Sequence, residues 1–259
     1  MITDVATKER LRVSNVSKNY GGVRALDSVD LGLNSHEVLG LFGQNGAGKS
    51  TLVDIICGAT PATSGEVLVD GQALSGSSSR RARLGLARTF QYPQVAGELT
   101  VEQNLLLGYW GRRAGGLLGI VRGTINGVLR SEREEGVERA RELAASCGIE
   151  DLQREASELS LGEQRLVEVI RALLLEPSVL LLDEPFAGAD ADAIRAVEAA
   201  ISTSRDAGCA VLLVDHNVDL VALASDRMAL LHDGRVVVEG LPEECLASAD
   251  VRRVYLGKE

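Results

Sequence analysis

The chain has 259 residues, 25% charged and 45% hydrophobic, with a formal net charge of −10; this is a globular balance, long for one average domain but possible for one α/β unit. The acidic surplus argues against non-specific nucleic-acid binding, which needs Lys and Arg to neutralise phosphates. Cys57, Cys147, Cys209 and Cys245 lie far apart without a C-x-x-C pair, the first ten residues lack an apolar signal core, and no apolar run approaches the ~18–20 residues that span a bilayer. A disulfide framework and a zinc site are therefore disfavoured, a reducing cytosol is expected, and any membrane role must come through partner chains.

Residues 11–42 read as strands joined by turns, with Leu11–Val13 and Ser28–Leu33 alternating in the half-buried manner. Between them Tyr20 precedes two glycines, which leaves two readings open. It is a turn aromatic, or it stacks on a base, a contact worth ~1–3 kcal/mol in nucleic-acid systems. The apolar run Val38–Phe42 then leads into Gly43-Gln44-Asn45-Gly46-Ala47-Gly48-Lys49-Ser50-Thr51, which fits G-x-x-x-x-G-K-[ST] from Gly43 to Ser50. Leu52–Cys57 follows as helix, with Gly58 as its stop. Strand, glycine loop and helix together make a phosphate site. The glycines let backbone N–H groups point inward, and the helix N-terminus favours an anion. Lys49 can reach the β- and γ-phosphates, and the Ser50 hydroxyl can ligate Mg2+.

Glu66–Val69 reads as a strand and Asp70-Gly71 as a hairpin turn. Residues 75–79 form a Gly/Ser-rich surface linker ahead of Arg80, Arg81 and Arg83. The stretch 84–90 runs into Gln91-Tyr92-Pro93, where Gln91 matters only if its loop returns to the phosphates. Residues 98–158 change character. Glu98–Leu106 is helical with Thr100 as cap. Residues 108–127 are Gly-rich and read as a flexible surface loop in preference to a membrane-surface amphipath, since glycines weaken a helix. Ser131–Cys147 is helical and stopped by Gly148. This block is expected to be a helical subdomain inserted in the α/β core.

Ser160 and Glu163 match a capping box opening a helix whose apolar stripe is Leu166, Val167, Ile170, Leu173 and Leu174, with Pro177 as its end. The strand Val179–Leu182 is fully apolar, as in the centre of a parallel sheet, and ends in Asp183-Glu184. Ligands sit at the carboxyl ends of such strands, so Asp183 can hold Mg2+ and Glu184 can orient or deprotonate a water. Ala191–Ser204 is helical, and Ala210–Val214 repeats the apolar strand and ends in Asp215-His216. A hairpin about Asp233-Gly234 and a helical tail, Pro242–Glu259, complete the chain.

The ordered set Tyr20, Gly43–Thr51, Gln91, Leu159–Gln164, Leu180–Glu184, Ala187–Asp190 and His216 resembles the nucleotide-binding subunit of ABC transporters over essentially the whole chain. That resemblance implies a P-loop NTPase (RecA-like) α/β core with an N-terminal antiparallel β subdomain and an inserted α-helical subdomain. The core and β subdomain would span about 10–91 and 166–240, the helical subdomain about 92–165, and a helical tail about 241–259. It implies ATP and Mg2+ as cofactors, and two chains, identical or sister, packed head to tail. ATP would lie between the phosphate loop of one and Leu159–Glu163 of the other, so that Ser160, Gly162 and Glu163 become nucleotide contacts. It makes Tyr20 the adenine-stacking aromatic, Gln91 the sensor of Mg2+ and of the membrane partner, Glu184 the catalytic base, His216 the γ-phosphate contact and Asp190 the residue that acts across the dimer.

Ala87-Arg88-Thr89-Phe90-Gln91, the enlarged insert after Asn104 and the closing Asp250–Gly257 look most like the ATPases of branched-chain amino acid importers, with the urea and amide importers similar. The implied setting is the cytoplasmic face of the cell membrane, with transmembrane permease subunits and, indirectly, an extracytoplasmic solute-binding protein as partners, and no nucleic acid. A soluble ABC ATPase of DNA repair or translation is the rival; such proteins tend to carry tandem copies, a long coiled coil or zinc cysteines, which this chain does not have. Two positions depart from the family pattern: Leu161 stands at the signature's usual third-position glycine, and Ala189 where a leucine is common.

Overall fold

The computed structural model describes residues 7–74, 76–113 and 128–256. The chain divides into two compact units: one of residues up to Arg88, Ser178–Glu184 and Ser204 onward, the other of Thr89–Pro177 and Pro185–Thr203. The expected boundary near residue 165 falls inside a continuous helix, Leu161–Leu173, which belongs whole to the second unit.

In the first unit, β1 (Glu9–Tyr20) and β2 (Val23–Asn34) are longer than their alternating segments suggest. The register shifts along the pair, and Asn15 and Ser28 take φ of 49° and 52°. Such irregularities interrupt the period-2 pattern without ending the strand. β4 (Ser64–Val69) adds to β1, and β5 (Gln72–Ala73) returns through Asp70-Gly71, both at positive φ, completing an antiparallel sheet of order β2-β1-β4-β5. The second sheet has the order β10-β9-β3-β8-β7-β6. Its members are β3 (Glu37–Phe42), β6 (Leu86–Arg88), β7 (Val179–Asp183), β8 (Ala210–Val214), β9 (Arg227–His232) and β10 (Arg235–Gly240). All pairs are parallel except β9 with β10. Every residue of β7 and β8 is buried, as an apolar run in the middle of a parallel sheet requires.

Helix α1 (Lys49–Cys57) shares one core with both sheets: Leu52, Val53, Ile55 and Ile56 pack with Leu11, Val13 and Leu26 on one hand and with Leu39, Leu181 and Leu212 on the other. A short helix, α2 (Ser78–Arg83), begins inside the stretch read as a surface linker, and Arg81 is buried there. Its guanidinium donates to the carbonyls of Ile55, Ile56 and Leu74. The last turn of a helix leaves carbonyls without intrahelical partners, and Arg81 supplies them, with its positive charge at the negative end of the α1 dipole.

The second unit is built on α3 (Val101–Arg113), α4 (Val128–Ser146), α5 (Leu161–Leu173) and most of α6 (Ala191–Asp206), with α3 against α4 and α5. Thr100 caps α3 reciprocally with Gln103, at 3.2 and 3.0 Å. The helix does not stop at the first glycine of the Gly-rich block but runs through Gly108 and Gly111 to Arg113. A Cβ on Gly108 would lie 2.2 Å from the Arg171 carbonyl oxygen of α5, so glycine is there for close approach and not for flexibility. Residues 114–127, which contain the rest of that block and the helix-like patch 117–121, lie outside the described residues. Gly108→Ala is expected to lower stability by ~1–3 kcal/mol even though alanine favours helix, and to drop the melting temperature by a few degrees in a thermal scan.

Beyond β8 the first unit closes with α7 (Val218–Ala224), α8 (Pro242–Ala247) and α9 (Ala249–Leu256). The tail is thus two helices broken at Ser248, whose hydroxyl accepts from Val251 N–H at 3.2 Å. All four cysteines are buried and unpaired, and burial pushes the thiols of Cys57 and Cys209 up to about 11.

Candidate functional site: a phosphate loop beside two acidic strand ends

β3 delivers the chain into the loop Gly43–Gly48, and α1 starts at Lys49. Gly48, the residue before the helix, has φ 108°, and a Cβ on it would lie 2.6 Å from the Ala25 carbonyl oxygen; no L side chain fits either requirement. Ala25 lies near the start of β2 in the β1–β2 hairpin, at whose tip Tyr20 stands half-exposed with the Lys18 ammonium 4.8 Å from its ring centre. The loop is pinned from below: Gly234 N–H donates to Ala47 O at 3.0 Å, and Ala47 N–H to Gln44 O at 3.1 Å. With no side-chain cap on α1, its first N–H groups are left for a ligand. Asn45, Ser50 and Gln44 are exposed, Thr51 half-buried.

Lys49 is only 8% exposed and is curled onto its own loop, its ammonium donating to Gly43 O at 2.6 Å and Gln44 O at 3.1 Å. Burial lowers its pKa, and the nearby charges of Glu184, Asp183 and Asp215 oppose that shift. The loop is also held from the tail, which the sequence marked only as a subgroup feature. The Gln44 side-chain amide donates to Val254 O of α9, and Phe42 packs against Tyr255 with ring centres 6.0 Å apart. Burial raises the Tyr255 phenol to about 12.

Asp183 closes β7 and Glu184 follows it out of the sheet, its N–H donating to Val214 O at 2.7 Å. Glu184 has φ 51°, a left-handed backbone rare for a side chain of its size and a form of strain that collects at working sites. Burial raises the pKa of Asp183, against the pull of Arg88. From the end of β8, His216 places Nδ1 3.6 Å from Glu184 Oε1 and 3.4 Å from Asp215 Oδ1. Asp215 is 1% exposed and accepts from His216 N–H at 2.7 Å and Asn217 N–H at 3.0 Å, so it fixes the turn that presents the imidazole. Asp215 has no assigned role in the sequence; its place at a strand end, like Asp183, is the signal that marks it. The oxygens of Ser50 and Asp183 are hard donors suited to Mg2+. No group of three or more His, Cys, Asp and Glu side chains among the described residues could form a cage. One or two protein oxygens with phosphates and waters completing the shell is how Mg2+ is held at phosphate sites.

The remaining candidates belong to the second unit. Gln91 is exposed on a loop gripped by α5: Arg165 donates to Gln91 O at 2.8 Å, and the buried Glu168 accepts from Phe90 N–H at 3.4 Å and Gln94 N–H at 3.2 Å. Neither α5 residue was visible as a loop clamp from spacing. Ser160 and Glu163 form the expected capping box, with bonds of 3.3 and 2.7 Å. Asp190 caps α6, accepting from Ala193 N–H at 2.8 Å. Leu161 is half-exposed, and one of its methyls would be 3.1 Å from a Cβ on Gly188. A Cβ on the buried Gly162 would be 3.2 Å from Ala193 Cβ and 3.6 Å from Ala189 Cα. The two departures from the family pattern are therefore neighbours, the added leucine lying where the 187–190 loop is made of small residues.

Residues 26–187 match the family model described as ABC transporter. The branched-chain amino acid transport ATP-binding protein LivG of Escherichia coli K12 is 33% identical over 251 residues, 96% of this chain and 98% of its own. The lipopolysaccharide export system ATP-binding protein LptB of the same organism is 35% identical over 251 residues, with the same coverage of each chain. Among solved structures, an ATP-binding cassette of an ABC transporter in its ADP conformation matches at a TM-score of 0.81 and 30% identity, covering 96% of this chain and 99% of that one. The architecture is likewise that of those cassettes: a mixed α/β core with an antiparallel β sheet and a helical segment.

Proposed function

The chain belongs to the ABC transporter family as an ATP-hydrolysing, ATP-binding subunit, and we propose that it drives an importer for a polar solute, branched-chain amino acids in the first instance. The observation that carries the ATPase chemistry is the meeting, in one unit, of the Lys49 loop with Asp183, Glu184 and His216, the last two 3.6 Å apart. Import is supported by the near-full-length likeness to LivG. Export is the second reading, favoured by the equal likeness to LptB; the urea and amide importers stand with the first.

In the proposed cycle the backbone N–H groups of Gly43, Gln44, Asn45, Gly46, Ala47, Gly48 and Thr51 cradle the phosphates, and Lys49 neutralises the β- and γ-phosphates. Ser50, Asp183 and Gln91 would hold Mg2+, which would supply positive charge to the phosphates. Glu184 orients and accepts a proton from the attacking water, and His216 holds the γ-phosphate side of the site. Tyr20 stacks on adenine. Ser160, Gly162 and Glu163 of a second, identical or sister chain complete the pocket head to tail, and Asp190 acts across that junction. No helix among the described residues is long and apolar enough to cross a membrane; transmembrane permease subunits would hold the chain at the cytoplasmic face, with a solute-binding protein beyond. The α/β core with its β subdomain and the helical subdomain form one ATPase domain over residues 10–257.

The test is reconstitution with the membrane subunits that co-purify with the chain. ATP-dependent uptake of leucine or isoleucine into vesicles is the expected result. Uptake of urea or amides alone would move the assignment within the importers, and outward movement of lipid would replace it with export.

A further inference from the structure

We propose that Arg88 is a positioning residue for the reaction, a tether that holds Asp183 in the aim needed on the metal side of the site by tying it to Asp54 on the helix that begins with Lys49. The inference rests on the reading of Asp183 as the carboxylate attending Mg2+. Arg88 is the last residue of β6, where the parallel register sets it beside Leu181 of β7, two residues before Asp183. Its Nη1 donates to Asp54 Oδ1 at 2.6 Å and its Nη2 to Asp183 Oδ2 at 3.1 Å. The side chains of Arg88 and Asp183 are only 16% and 8% exposed, so solvent screens this contact weakly.

A guanidinium offers donors in a fixed planar fork, and here two of its nitrogens face carboxylates on two different elements. With Oδ2 engaged, the Asp183 carboxylate cannot turn freely about its last torsion. With Oδ1 of Asp54 engaged, α1 is tied to the end of β7. The segment carrying Lys49 and Ser50 and the strand carrying Asp183 are therefore coupled through one side chain, in addition to their shared core. A lysine at the same place would bring charge but not two fixed directions. A plain structural staple would use the same contacts, and the two roles differ in what fails first: a staple costs stability and binding alike, whereas a lost aim costs the metal-dependent part of binding.

The experiment uses the full chain and equilibrium ATP binding, titrated with Mg2+ and repeated in EDTA, alongside thermal melting. Arg88→Gln is expected to leave ATP affinity in EDTA within about two-fold and to raise the Mg2+ concentration giving half-maximal tightening about ten-fold. Asp54→Asn should shift the Mg2+ dependence in the same direction by less, Arg88→Lys should recover part of the loss, and the Asp54→Asn/Arg88→Gln pair should be no worse than Arg88→Gln alone. Asp183→Asn is the reference. If it leaves the Mg2+ dependence unchanged, the reading of Asp183 falls and the tether with it. If it shifts that dependence while Arg88→Gln does not, or if Arg88→Gln weakens binding equally with and without Mg2+, only the tether is overturned. Should Arg88→Gln fail to fold, Asp54→Asn decides: it releases the tether and keeps the guanidinium, and an unchanged Mg2+ profile refutes the proposal.

Discussion

Glu184→Gln is expected to keep ATP and to lose its hydrolysis by ~10²–10⁴-fold, the usual cost of a general base. The substitution leaves the backbone as it is. Glu184 sits at φ 51° with its N–H tied to Val214 O, and both features depend on the main chain and not on the side-chain charge. An amide is nearly isosteric and can still meet His216 Nδ1, now 3.6 Å from Oε1. What disappears is the negative charge proposed to accept a proton from, or aim, the attacking water. The same loss removes a repulsion facing the γ-phosphate, so ATP should dwell longer and the ATP-held pair of chains should persist. Single-turnover rates, equilibrium ATP binding and light scattering at saturating ATP give three readings on one protein. A Glu184→Gln protein that lost affinity while hydrolysing at the parent rate would reverse the role given to this residue, and one that stayed monomeric with ATP would count against the shared site.

Lys49→Ala should do the opposite, abolishing productive binding. The ammonium is buried among Gly43 O, Gln44 O and the fields of Asp183, Glu184 and Asp215. Truncation removes a charge-assisted contact of ~1.5–3 kcal/mol, which is ~10–100-fold in affinity. It also removes the positive charge that offsets the fields of Glu184, Asp183 and Asp215 near the loop, so hydrolysis should fall further than binding. The loop itself should hold its shape, since Gly234 N–H to Ala47 O and the Gln44 contact with α9 do not involve the lysine. A calorimetric ATP titration checks the binding, and near-parent affinity would mean the phosphates sit elsewhere.

The phosphate loop, the central strands and both acidic strand ends were legible because each is local: a fixed spacing, an apolar run, a cap. Most of what was not legible rests on contacts between residues distant in the chain. Arg81 followed a stretch read as surface linker and was given no role, and only the carbonyls of Ile55, Ile56 and Leu74 explain its burial. Gly108 looked like a helix breaker, and only the Arg171 carbonyl explains why the helix needs it. Arg88 and Asp183 are 95 residues apart, and no periodicity connects them. The β1 and β2 boundaries were missed for a different reason, positive-φ residues that break alternation inside a continuing strand.

The absence of a side chain at Gly188, beside Leu161, carries a consequence for how this chain can change by mutation. Gly188 stands at φ 71°, and a Cβ there would lie 3.1 Å from a Leu161 methyl. Any side chain at 188 must meet backbone strain and crowding together while the leucine remains, whereas the crowding vanishes once residue 161 is small. A small residue at 161 therefore relieves the crowding at 188 but leaves its backbone strain in place. A cassette whose 187–190 loop is bulkier should accept this leucine less readily than one with a small loop, so the two segments are best exchanged together although they are distant in the chain.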